Sequence, residues 1–297
     1  MLTELGMLQD LNGEYLLKVA KDIEVSASGL GDSPGVSEVL NECRERGRRL
    51  LRYLKQSESC SDIYKARLCS ELRVVSFIPV LRPISATLGG YITYESSLCS
   101  FDEVLATSAA PLGFSVIPVL DEDIAPPQIY FSSLAVTTSP PIEVVLRHLR
   151  NLTLNCGDLL DRWNNTQISI KDTFSALFSF LMDHWQTIVP AVKNAIKCSQ
   201  MVPVGHFLVR PSRLFFRLQG EDLSPFMHEV PRCFGAHEKF LKELGVKEQP
   251  EAEDYVEVRH CFNFNFKSYV NDYHGYTDYY LLRPLYELEL SFHNRSN

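Results

Sequence analysis

The sequence lacks any apolar run long enough to cross a membrane. A spanning helix needs about 20 consecutive apolar residues. The longest candidate, Phe174 to Val192, is interrupted by Asp183, His184 and Pro190. The first ten residues also lack the basic segment and apolar core that are typical of a secretory signal. The sequence therefore predicts a cytoplasmic chain without a membrane partner.

Paired cysteine motifs are also missing. The 297-residue chain has eight cysteines, none in a C-x-x-C pair and none spaced from a histidine as a zinc site requires. Without a secretory signal, such cysteines are expected to be reduced and mostly buried. The sequence therefore predicts no disulfide framework, no metal site and no cofactor.

Basic residues are in the minority. The chain has 29 Lys and Arg residues against 37 Asp and Glu residues, which gives a formal net charge of -8 at pH 7. A surface that binds nucleic acid needs clustered cations to displace counterions from the phosphates. The one compact basic run, Arg44 to Arg52, is offset by Glu38, Glu42 and Glu45, which favours a solvated helix face over a phosphate site. Nucleic acid is therefore not an expected partner.

Motifs of several enzyme classes are missing as well. The chain has no G-x-G-x-x-G, no G-x-x-x-x-G-K followed by Ser or Thr, and no H-E-x-x-H. His148 and His184 have no sequence-adjacent partner for nucleophilic catalysis, which favours structural roles. The acidic run Asp121 to Asp123 could bind a cation, but three consecutive loop residues point in different directions, so a solvated turn is favoured. We predict no catalytic residue and no enzyme.

Changes in residue pattern divide the chain into four regions. Residues 1–72 are helical in pattern, and residues 73–169 form an α+β region that begins with a strand-like segment, Val74 to Leu81. Residues 170–254 combine a long helix with a second α+β region, and residues 255–297 form an aromatic-rich tail without a clear period. The predicted fold class is α+β, with mixed helical and sheet regions.

The predicted elements follow from apolar periodicity and from turn residues. Helices are predicted over Glu4–Glu24, Pro34–Leu54, Ile63–Leu72, Ile142–Leu154, Ile170–Cys198, Leu223–Val230 and Cys233–Leu244. Further strands are predicted at Gly89–Tyr94, Phe114–Leu120, Val202–Val209 and Arg213–Leu218. We expect Pro190 to kink or split its helix, and Gly245 to end the last one.

One face of the long helical stretch is predicted to pack inward. Its apolar residues recur near the helical period, whereas Lys171, Asp172 and Asp183 lie largely off that stripe. The residues expected to be buried are Phe174, Phe178, Leu181, Trp185 and Ile188.

A possible partner-binding segment is formed by Phe226, Met227 and His228. Pro225 and Pro231 limit how far a regular helix can extend here, so a short and partly exposed element is expected. An exposed apolar patch often marks an interaction site. The alternative, which is favoured, is that Phe226 covers the neighbouring core.

Several short stretches occur in an order that resembles a known family. They are Leu5-Gly6-Met7-Leu8 with Leu16-Leu17, Phe77-Ile78-Pro79-Val80, Pro140-Pro141 with Val144-Val145 and His148-Leu149, Val202-Pro203-Val204-Gly205 with Pro211 to Phe216, and Leu223 to Phe226 with Val230-Pro231 and Phe240 to Glu248. Together they resemble the internal repeats of sacsin and its relatives, which are giant cytosolic proteins linked to chaperone function.

This resemblance implies a sacsin-type repeat fold and a non-catalytic scaffold or binding module in protein quality control. The implied partners are chaperones or client proteins. Repeats of this family begin with a module similar to the GHKL ATPases. No position here matches its catalytic Glu, its magnesium-binding Asn or its glycine-rich lid, so the chain resembles the part downstream of that module. The alternative is an ATPase of GHKL-like type with an unrecognised nucleotide site.

Overall fold

The computed structural model describes residues 13–29, 36–56, 66–85, 92–154, 169–205, 207–218, 226–256 and 258. The chain divides into two compact units, Met1–Phe180 (unit 1) and Leu181–Asn297 (unit 2). Both helices and small sheets are present, so the predicted α+β class is confirmed. The finer division into four regions stays a prediction, and most of the predicted tail lies outside the described residues.

Three helices open unit 1: Gly13–Ser28 (α1), Val36–Gln56 (α2) and Ala66–Leu72 (α3). The inward face of α1 presents Leu16, Ala20 and Ile23, which are at most 1% exposed and recur at helical spacing. A Cβ at Gly47 of α2 would collide with the carbonyl oxygen of Phe77. Glycine therefore allows α2 to approach the chain that enters the first strand.

The first sheet of unit 1 is an antiparallel hairpin. Its strands are Ile78–Ser85 (β1) and Ile92–Cys99 (β2), which pair from Ile78 opposite Cys99 to Ser85 opposite Ile92. β1 contains Pro79, which lacks the N–H that a central strand would donate. Among the described residues this sheet has two strands, so β1 is an edge strand, where a proline is tolerated.

Beyond the hairpin, Leu105 joins two neighbouring segments by parallel bridges to Val119 and Thr137. The helices Phe131–Leu134 (α4) and Ile142–Leu154 (α5) then follow. The predicted strand Phe114–Leu120 is wrong for most of its length. The N–H groups of Val116 and Ile117 donate to the carbonyl of Gly113, at 2.8 and 3.0 Å, so the backbone turns there instead of extending.

The long predicted helix is divided at Pro190, as expected. It comprises Ile170–His184 (α6), a 3-10 turn at Trp185–Thr187 and Pro190–Cys198 (α7). Pro190 is the first residue of α7, where its missing N–H costs no helical hydrogen bond. The five residues predicted to face inward are all buried, which confirms that prediction: Phe174, Phe178, Leu181, Trp185 and Ile188.

Unit 2 contains two further small sheets. Val202–Val204 (β3) pairs antiparallel with Phe207–Val209 (β4), and Leu214–Phe215 (β5) pairs parallel with His228–Glu229 (β6). The predicted helix Leu223–Val230 is wrong over its described residues, because the Val230 N–H donates to the Phe215 carbonyl at 2.9 Å in a sheet-like bond. The helix Glu238–Leu244 (α8) ends at Gly245, whose φ is 106°. That C-cap was predicted.

Each unit contains one copy of the same backbone pattern, and from residue 98 onward the second copy follows the first by 110 positions. Leu105 corresponds to Phe215, Val119 to Glu229 and Thr137 to Lys247, and each set is joined by the same parallel bridges. Three backbone hydrogen bonds of the first copy also recur in the second, each written from the N–H donor to the carbonyl acceptor. Leu120 to Leu105 (2.8 Å) matches Val230 to Phe215 (2.9 Å), and Ala106 to Thr137 (2.9 Å) matches Phe216 to Lys247 (3.0 Å). Val136 to Phe131 (2.9 Å) matches Val246 to Leu241 (3.0 Å).

The elements around this pattern match as well. The first copy (residues 78–148) and the second copy (residues 202–258) each begin with a hairpin, in which Pro79 pairs with Leu98 and Pro203 pairs with Leu208. A left-handed residue ends the short helix of each copy, Ala135 in the first and Gly245 in the second. The chain therefore contains a tandem structural duplication.

Candidate functional site

The predicted partner-binding residues lie in unit 2, beside β5 and β6. Phe226 and Met227 are 6% and 2% exposed and pack with Phe215 and Val258, whereas His228 is half-buried in β6. The cavity next to them has a volume of about 20 Å³, which is room for about one water molecule. This burial favours the core alternative for Phe226 and Met227. Partner binding by the segment stays a prediction.

Asp254, which lines the same small cavity, pairs with Lys247. The Lys247 ammonium lies 2.8 and 2.9 Å from the two carboxylate oxygens of Asp254, and this hydrogen bonding raises the pKa of Lys247. The Asp254 carboxylate also accepts the Glu251 N–H, at 2.9 Å. The carboxylate therefore holds the turn that begins helical residues 252–256.

A buried polar network in unit 1 joins Ser115, His148 and Asn151. The Ser115 hydroxyl lies 2.6 Å from His148 Nδ1, and Asn151 Nδ2 donates to the Ser115 hydroxyl at 3.2 Å and to its carbonyl at 3.1 Å. The Ser115 hydroxyl therefore bridges the imidazole of His148 and the side-chain amide of Asn151. The Phe114 ring packs edge-on against the imidazole, with centroids 4.5 Å apart.

A Ser–His contact of this length resembles a nucleophile with its base, but the surroundings argue against that role. Ser115 is 4% exposed and His148 is fully buried. Burial is the main cause that lowers the pKa of His148 to about 3, and hydrogen bonding to the Pro111 carbonyl opposes it. The network therefore connects α5 to the turn that contains Ser115. The structural role predicted for His148 agrees with this position, whereas its partner Ser115 was missed because it lies 33 positions earlier.

The acidic run Asp121 to Asp123 forms a turn. The Asp121 carboxylate accepts the Asp123 N–H at 2.9 Å, and the Lys55 ammonium donates to the carbonyls of Glu122 and Asp123, at 2.9 and 3.2 Å. Lys55 thus occupies the main-chain oxygens that a bound cation would use. Across the described ranges, no group of three or more His, Cys, Asp or Glu side chains is arranged to hold a metal ion.

A cleft of about 350 Å³ opens beside Lys55 in unit 1. We call it the Lys55 cleft. It combines apolar and uncharged polar side chains with one cation and one carboxylate. Its lining residues are Lys55, Thr107, Ser108, Glu122, Ala125, Pro126, Pro127, Gln128 and Phe131. A volume of this size is in the range of ligand pockets. No sequence motif marks it, because its walls come from α2 and from loops more than 50 positions away.

The other residues considered from the sequence lie in structural settings. Within the basic run, Arg48 pairs with Glu45 and Arg44 donates to Asn41 at 3.2 Å, as expected for a solvated helix face. His184 is exposed in the last turn of α6.

One G-x-S-x-G pattern, Gly31 to Gly35, occurs in the sequence outside the described residues. A nucleophile elbow follows a strand, whereas the described residues before this pattern form helix α1.

Comparison with known proteins identifies no relative. No family model matches the chain, and no curated protein or solved structure matches it either. Within the described part of the chain, no helix combines the length and the apolar character that a membrane span requires. The resemblance to sacsin-like repeats therefore stays a prediction made from the sequence.

Proposed function

We propose that this chain is a non-catalytic scaffold or binding module of the sacsin-like kind, which binds chaperones or client proteins in the cytoplasm. The observation that supports the proposal is the tandem duplication, with Leu105 and Phe215 at the centre of two copies of one unit. Proteins built from repeated units commonly act by presenting extended binding surfaces.

The polar groups of both copies support the same proposal. The Ser115 hydroxyl and the His148 ring are enclosed, and their hydrogen bonds fix α5. The Lys247 and Asp254 pair fixes a helix start in the second copy. These groups stabilise the fold, which suits a module whose activity is binding.

A client-aggregation assay tests this proposal. A model enzyme that aggregates on heating is followed by light scattering, with and without the purified chain and without nucleotide. We expect suppression at a near-stoichiometric ratio, and no suppression by an unrelated protein of similar size. Unchanged aggregation of the client, together with no binding to purified cytosolic chaperones, would contradict the proposal.

Calorimetry with magnesium-ATP separates the two candidate functions. The scaffold proposal expects no saturable heat, because the motifs expected of a phosphate-binding loop are missing from the sequence. Saturable binding accompanied by phosphate release would instead favour the GHKL-like ATPase.

A further inference from the structure

The two copies differ at the Lys55 cleft. The cleft residues Thr107 and Gln128 of the first copy correspond to Arg217 and Glu238 of the second. In the second copy this region is crossed by ion pairs. Arg217 Nε lies 3.6 Å from Glu248, and the Lys242 ammonium lies 2.6 Å from Glu238 and 3.3 Å from Glu248.

Further contacts hold these second-copy side chains in place. The Lys242 ammonium lies 5.3 Å from the centre of the Phe216 ring, a cation–π distance. Arg217 and Lys242 together lower the pKa of Glu238, with Lys242 as the main cause. Opposite charges therefore face each other across the second-copy equivalent of the cleft.

The first copy has uncharged side chains at all four positions. They are Thr107, Gln128, Ser132 and Thr138. None of the four can form an ion pair, so the first copy has no counterpart of the network. Two of the four, Thr107 and Gln128, line the Lys55 cleft.

The lining of the Lys55 cleft indicates what it would bind. Its floor is apolar and includes Pro126 and Phe131, which are both buried. Ser108 and Gln128 offer a hydroxyl and an amide, which donate and accept hydrogen bonds without charge. Lys55 and Glu122 carry opposite charges, so neither sign dominates. This chemistry matches a peptide backbone, whose amide groups need partners when they leave water.

We propose that the Lys55 cleft binds an extended, uncharged peptide segment, with an apolar side chain on the floor formed by Pro126, Pro127 and Phe131. The inference rests on the proposed binding function and specifies it. It assigns peptide binding to the first copy, because charged, ion-paired side chains occupy the equivalent positions in the second copy.

The duplication supplies a matched pair of variants. The closed variant places second-copy residues in the first copy, through Thr107→Arg, Gln128→Glu, Ser132→Lys and Thr138→Glu. The control variant makes the reverse change in the second copy, through Arg217→Thr, Glu238→Gln, Lys242→Ser and Glu248→Thr. The probe is an array of short overlapping peptides from the model enzyme of the aggregation assay. Wild type should select uncharged, apolar peptides.

We expect the closed variant to bind these peptides at least about tenfold more weakly than wild type. The control variant should bind them no more weakly than wild type, because its Lys55 cleft is unchanged. Ser108→Trp, at an exposed position, fills the cleft without adding charge and should weaken binding similarly. If the closed variant does not fold by circular dichroism, Ser108→Trp decides the question. Unchanged binding after cleft closure, selection of charged peptides, or no peptide binding by wild type would each overturn the inference.

Failure of the cleft inference can be distinguished from failure of the proposed function. If wild type and the closed variant suppress client aggregation equally well, the cleft inference fails and the proposed function stands. Saturable ATP turnover would contradict the proposed function, while the peptide array would still decide whether the cleft binds peptide.

Discussion

The buried imidazole of His148 makes unit 1 sensitive to acid. Burial lowers its pKa from 6.5 to about 3, so the folded chain keeps the ring neutral while the unfolded chain protonates it at the ordinary value. The stability contributed by this difference is fully present above pH 6.5 and decreases as the pH falls toward the folded-state pKa. Each pH unit in that window costs about 1.4 kcal/mol. The full loss is about 5 kcal/mol, which is comparable with the total stability of a small domain.

Urea unfolding followed by circular dichroism, between about pH 7.5 and about pH 5, measures this dependence. The test variant is His148→Leu, which cannot titrate, and the control is His184→Gln at an exposed position. His148→Leu should be less stable at neutral pH, because the buried Ser115 hydroxyl loses its hydrogen-bond partner on the imidazole. Its free energy of unfolding should nevertheless fall less steeply with acid, by up to about 1.4 kcal/mol per pH unit. His184→Gln should follow wild type.

Equal pH slopes for wild type and His148→Leu would refute this reasoning. Such a result would mean that the imidazole is protonated in the folded chain or is accessible to water. The slope is a better measure than the stability at one pH, because removing the ring also changes packing and hydrogen bonding.

Three further predictions test the packing and the backbone. Phe178→Ala should lower the free energy of unfolding by about 3–5 kcal/mol because its ring is fully buried, and an unchanged urea midpoint would contradict the burial. Gly47→Ala should lower the melting temperature by several degrees, because the new methyl group collides with the Phe77 carbonyl. Gly235→Ala is the control and should not lower it, because a Cβ there has open space. Equal melting temperatures for the two variants would refute the close approach of α2 to Phe77. Gly245→Ala should lower the free energy of unfolding by about 1 kcal/mol, because φ is 106° there. Ala135→Gly should raise it, because glycine relieves the strain of positive φ in the first copy. Denaturant titrations in which the two variants do not change stability in opposite directions would argue against the duplicated cap.

Elements with strong local signals could be predicted from the sequence. The helix Ile142–Leu154 has the predicted bounds, because Pro140 and Pro141 mark its start and its apolar residues follow the helical period. Pro190 and Gly245 likewise act through their own backbone restrictions. These signals involve residues within about one helical turn of each other.

Elements that depend on distant partners could not be predicted. The segment Phe114–Leu120 has the β-branched composition of a strand, but the N–H groups of Val116 and Ile117 bond back to Gly113. His228 and Glu229 form a strand because β5 supplies their pairing partner. The Lys55 cleft could not be predicted for the same reason, since its walls meet only after folding.

The duplication was missed because little of it survives in residue identity. Its clearest trace is the match of Leu134, Val136 and Pro140 with residues 244, 246 and 250. A constant spacing of 110 positions between such triplets is the signal that would have revealed it.

The two hairpins differ in length, and this difference marks a place where the unit tolerates insertion. Two residues separate Val204 from Phe207, whereas sixteen separate Val80 from Ser97, although the pairs they join are equivalent. Closing a longer loop costs only about 0.6 kcal/mol for each doubling of its length. The region between Val204 and Phe207 is therefore a rational position for an engineered epitope or a fluorescent reporter, which would label the second copy without disturbing its core.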